Sequence, residues 1–169
     1  MNRQYSKGGR PSRKEDEEIK LQIMCTVDEV IDKLGNPNDS LNLANKIISS
    51  PIDAEIRSTT SYLKIHDLFS NALDFILDAI DSDSLQSQLE QINQNLAKVK
   101  VIVNYQKIRG QITDNIAKVL DKAIDKLNDK LNSIKGTDPS DLKELRKLVE
   151  NIRVVIDSFA VVAKRKRGE

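Results

Sequence analysis

Six apolar residues between Leu85 and Val103 limit what this chain can build. Leu85, Leu89, Ile92, Leu96, Val99 and Val103 follow one another at alternating four- and three-residue steps, which stacks them along one side of an α-helix. The run Lys98 to Tyr105 has local strand character, because Val101 to Val103 are β-branched and Lys98 to Val101 alternate. The seam already running from Leu85 outweighs that preference, so helix is expected through Arg109. On this helix Lys98, Tyr105 and Arg109 fall within roughly a ninth of a turn of one another at about 100° per residue. They form a cationic, aromatic stripe set apart from the seam.

The rest of the chain repeats the helical period. Helix one is expected from about Lys14 to Leu34, with Ile19, Ile23, Val27, Ile31 and Leu34 on one face and the acids Glu15 to Glu18 in the first turn, where the macrodipole favours them. Gly35 and Pro37 end it. A short helix follows from Ser40 to Ser49. Helix three is expected from about Asp53 to Ile80, and its second half is apolar around most of its girth, as in a central or interface helix. Asp83 with Gln86 reads as a capping box for helix four, and Gly110 loosens or ends that helix. Helix five is expected from about Thr113 to Lys135. Asp138 caps helix six, with Pro139 at its first position. The fold expected is all-α, a compact bundle of about five to six helices, with residues 1–14 a basic flexible tail and 15–169 a single domain.

Charge and composition narrow the function classes. The chain has 27 Lys and Arg against 26 Asp and Glu, a net charge of +1, so only local clustering speaks to partners. The tail carries Arg3, Lys7, Arg10, Arg13 and Lys14 with no acid, and Gly9-Arg10-Pro11 is similar to the core of an AT-hook. The chain closes on Lys164, Arg165, Lys166 and Arg167, which suit either a helix-dipole cap or phosphate. Lys118, Lys122, Lys126 and Lys130 form a row on helix five beside Asp121, Asp125 and Asp129, a pattern that suits a self-neutralised solvated face or, less well, a phosphate-tracking ridge.

No run of residues approaches the roughly 20 apolar positions that cross a bilayer, and the polar N-terminus lacks a secretory pattern. The single cysteine, Cys25, rules out a disulfide framework, and a reducing cytoplasm is the expected compartment. His66 is the only histidine, which leaves no zinc set and suggests a structural or surface role. Asp81 to Ile92 fails as a calcium loop, with Gln86 where glycine is needed and Ile92 where glutamate is. There is no phosphate-cradling glycine loop and no base for a serine or cysteine nucleophile. The sequence therefore gives no catalytic residues, no metal site and no cofactor, and no enzyme is expected.

Three segments, in order, resemble the small subunit of Csm-type (type III) CRISPR effector complexes. Ile56-Arg57 followed by Ser61-Tyr62-Leu63 is similar to that family's early Ile-Arg helix. Lys98-Val99-Lys100, then Tyr105 and Arg109, is similar to its lysine-rich helix ending in Tyr-x-x-x-Arg. Asp157 to Ala163, followed by Lys164, is similar to its closing helix. Asn104 stands where the family usually has alanine, and the family's C-terminal aromatic is missing near Lys164.

The resemblance implies a non-catalytic RNA-binding subunit that contacts the backbone of a guide RNA–target RNA duplex. It implies other subunits of the effector complex as partners, and copies of itself stacked head to tail. The RNA-binding residues it points to are Arg57, Lys98, Lys100, Tyr105, Arg109, Lys164 and Arg165, with Tyr105 packed against the arginine stem. Residue chemistry alone leaves two other readings open. One is a DNA-packaging nucleoprotein or filamentous virion coat protein with a basic arm; the other is a plain protein-interaction bundle.

Overall fold

The computed structural model describes residues 28–34, 40–49 and 55–166. The basic tail, residues 14–27 of the expected helix one with Cys25, the expected start of helix three at Asp53, and Arg167 lie outside the described residues, as does the side chain of Lys166. Residues 28–33 are helical (α1). Then come α2 (Ser40–Ser49), α3 (Thr59–Asp81), α4 (Leu89–Ile108), α5 (Asp114–Ser133) and α6 (Pro139–Lys166). No strand occurs among the described residues; there is one isolated antiparallel bridge, between Ile56 and Ile112.

Helices α3 to α6 close into a four-membered up-and-down bundle: α3 packs on α4 and α6, and α5 packs on both as well. Each apolar stripe supplies its share of one core. Tyr62, Phe69, Leu73 and Ile76 come from α3, Ile92, Leu96, Val99 and Val103 from α4, Leu120 and Leu127 from α5, and Val149, Ile152 and Phe159 from α6. Burying one such side chain stabilises the fold by about 1.5–3 kcal/mol. The seam of α4 is buried as its spacing requires, and the β-branched run stays helical because Val99 and Val103 are both held inside.

Specific bonds fix the directions of the helices. The Thr59 hydroxyl donates to the Ala163 carbonyl at 3.0 Å, the Tyr62 hydroxyl to that of Ile156 at 2.8 Å, and Arg146 pairs with Asp81, so α3 and α6 run antiparallel. The Asn151 amide donates to the Ser40 hydroxyl at 2.9 Å and Arg165 to the Ile48 carbonyl at 2.6 Å, so α2 lies parallel to α6. One end of the bundle therefore gathers the start of α3, the end of α4, the start of α5 and the ends of α2 and α6.

Three expectations about helix ends need correction. Ile56 and Arg57 precede α3 instead of lying inside it. Ile56 is drawn into its bridge with Ile112, and Ser58 caps the helix by accepting from the Ser61 N–H at 3.2 Å. Helix α4 begins at Leu89, so Leu85 is buried in a turn ahead of it. Asp83 does not cap α4. It takes φ +54 in the turn that ends α3, while Ser84 N–H bonds back to the Ala79 carbonyl at 2.9 Å. Asp138 does cap α6, its carboxylate accepting from the Ser140 N–H at 2.9 Å.

Candidate nucleic-acid interface

The end of α4 is built by a glycine. Gly110 has φ +75, a conformation costly for residues with a side chain. It allows Gly110 N–H to bond the Lys107 carbonyl and Gln111 N–H the Gln106 carbonyl, both at 2.9 Å. These two bonds make a Schellman motif. They turn the chain so that Gln111 meets the segment before α3. Arg57 and Ser58 both donate their N–H to the Gln111 carbonyl, at 2.9 and 3.2 Å, and Thr113 N–H donates to the Glu55 carbonyl at 3.0 Å. The side chain of Arg57 then lies against the turn, its Nη1 3.8 Å from where a Cβ on Gly110 would stand.

Arg57 thus joins the stripe on α4. The guanidinium of Arg109 lies over the ring of Tyr105, 5.4 Å from its centroid, within cation–π range. Tyr105 is 54% exposed, and Lys98 and Arg109 are exposed too. No acid occurs from Gln91 to Thr113, and among the described residues no carboxylate pairs with Lys98, Arg57 or Arg109. Lys164 is exposed at the same end, because Ala163 accepts the Thr59 hydroxyl next to Arg57 and Ser58. Backbone phosphate needs unpaired cations at a surface, and this arrangement offers them.

Two other expected residues are engaged. Lys100 donates to Asp125 of α5 at 2.8 Å; that hydrogen bond, more than burial opposes it, raises the Lys100 pKa above its usual value. Both side chains are about half exposed, so the pair offsets the Lys100 charge only in part. Arg165 bonds the Ile48 carbonyl and so closes the end of α2, as cations near helix C-termini do. One acid also sits at this end: Glu55 is buried, with its carboxylate accepting from the Thr113 hydroxyl and, at 3.4 Å, from the Asn115 amide. It offsets part of the local positive charge while serving the start of α5.

In the lysine row of α5 only Lys130 pairs with a carboxylate among the described residues; Lys118, Lys122 and Lys126 do not. Lys130 reaches Glu144 of α6 at 2.9 Å, and Asp125 takes Lys100. Asp121 lies near Lys100 and Lys107, yet burial pushes its pKa up, and its Oδ1 has no hydrogen-bond partner. His66 joins α3 to α6 through Asp157 at 2.7 Å, a structural place. Among the described residues no group of three His, Cys, Asp or Glu could hold a metal ion, and none of the helices is long and apolar enough to cross a membrane.

Sequence reasoning did not single out the outward side of α4 beside the stripe. Val101 and Ile108 are 70% and 73% exposed, and with Tyr105 they form an apolar ridge. The signal was present in their spacing, which sets them opposite the buried Val99 and Val103. No family model, curated protein or solved structure matches the chain.

Proposed function

We propose that this chain is a non-catalytic RNA-binding structural subunit of a type III CRISPR interference complex, holding the backbone of a guide RNA–target RNA duplex. Pairing between guide and target carries the sequence readout in such complexes, so a subunit of this kind needs only unpaired cations along the groove. Arg57, Lys98 and Arg109 are the phosphate contacts, Tyr105 fixes the Arg109 guanidinium, and Lys164 extends the surface. Lys100 and Arg165 contribute less, since each already bonds a group of the protein.

The observation that carries this reading is the meeting of distant segments. The three stretches on which the resemblance rests each reach one end of the bundle, where the Arg57–Gln111 and Thr59–Ala163 bonds gather Arg57, Arg109 and Lys164, while Lys98 stands about 16 Å back along α4. In an effector complex, copies of the chain stack head to tail beside the larger subunits, and nuclease activity belongs to those other subunits.

Purification of the chain from its native host cells tests the reading. Short RNA of uniform length and companion proteins should copurify with it. Copurifying duplex DNA, or no nucleic acid at all, contradicts it.

A further inference from the structure

We propose that the ridge Val101, Tyr105 and Ile108 on α4 is a docking surface for an acidic amphipathic helix of another protein. These three are the large apolar residues that α4 leaves exposed, and only Leu41 on α2 and Val161 on α6 join them among the described residues. Their i, i+4, i+7 spacing places them within about a sixth of a turn, the pattern by which one helix anchors against another. Nucleic-acid backbone gives the aliphatic side chains of Val101 and Ile108 nothing to bury against, so the ridge is not explained by phosphate contact. Tyr105 belongs to both surfaces.

Charge selects the occupant. Lys98 and Arg109 flank the ridge on one side and Lys107 on the other, where Lys100 is already bonded to Asp125 of α5, and no acid occurs on α4 between Gln91 and Arg109. A partner helix that covers the ridge must therefore present carboxylates beside its apolar seam, as complementary flanking charges do in coiled coils. A second copy of this chain fits poorly. Pairing ridge to ridge brings like charges together; on α3 the exposed Asp67 and Asp78 have no exposed large apolar residue beside them, Asp74 and Asp81 pair with Arg153 and Arg146, and on α6 Asp157, beside the exposed Val161, already bonds His66.

The test uses the full chain and a fluorescent synthetic helix with leucine at the a and d positions and glutamate at e and g. The same peptide with lysine at e and g, a scrambled peptide and anionic phospholipid vesicles serve as comparisons. Anisotropy should show binding of the acidic helix alone. The double variant Val101→Ser with Ile108→Ser should melt like the parent and lose about tenfold or more in affinity. Leu41→Ser, on an exposed site elsewhere, should change nothing. Equal binding of the scrambled peptide, unchanged binding by the double variant, binding to vesicles alone, or a dimer that the double variant dissolves would each overturn the proposal. So would failure of the double variant to fold, since it would place the ridge in the core.

Discussion

Arg57 donates its backbone N–H to the Gln111 carbonyl at 2.9 Å. That bond joins the segment before α3 to the turn after α4, and it depends on Gly110 holding φ +75. Gly110→Ala should therefore cost about 1 kcal/mol through backbone strain, which lowers the melting temperature by a few degrees. The cost is conformational and not steric, because the nearest atom to a new Cβ is Arg57 Nη1 at 3.8 Å. Gly110→Asn should lose less, since asparagine tolerates this region better. Thermal melts of the two variants check the order.

The stripe of Lys98, Tyr105 and Arg109 was legible because seven- and four-residue spacings on a helix fix a face without tertiary information. The α2 bounds and the Asp138 cap were legible for the same local reason. The start of α3 was not. Ile56 has the right spacing for that helix, but it is drawn to Ile112, a partner far along the chain. The bond of Lys100 was hidden for a related reason: its partner Asp125 lies on the neighbouring helix, and only the packing of α4 on α5 brings them together. The exposure of Val101 and Ile108 follows from helix geometry only once Val99 and Val103 are known to face the core, since the β-branched run by itself suits strand as well as helix.

Asp121 should destabilise the fold at neutral pH. Burial raises its pKa, so the folded chain holds that proton more tightly than the unfolded chain does. The penalty is fully present above the raised folded value and is relieved as pH falls through it toward the ordinary carboxylate range. Asp121→Asn should therefore melt higher than the parent at pH 7, and the gap should shrink as the pH is lowered. A gap that widens on acidification would contradict this account of the site.

Tyr62 follows the same sign in a higher pH range. Burial holds its pKa well above the ordinary value, so above about pH 10 the unfolded chain releases a proton that the folded chain keeps. Stability should fall as pH rises through that range. Tyr62→Phe should cost about 1 kcal/mol at pH 7 through the lost bond to the Ile156 carbonyl. Against the parent it should regain part of that difference above pH 10. Urea unfolding at both pH values measures the two effects together.

The central claim rests on Lys98 and Arg109, which are exposed, lie away from the buried seam and pair with no carboxylate among the described residues. The most direct measurement takes the double variant Lys98→Glu with Arg109→Glu, melts it, and titrates the reconstituted complex with guide–target RNA duplexes of several sequences. Exposed charge changes usually alter stability by about 0.5 kcal/mol or less, so the melt should be nearly unchanged. Binding should weaken by more than about tenfold for every sequence alike, and the slope of log affinity against log salt should flatten by roughly one per lost phosphate contact. A variant that melts and binds like the parent would contradict the account.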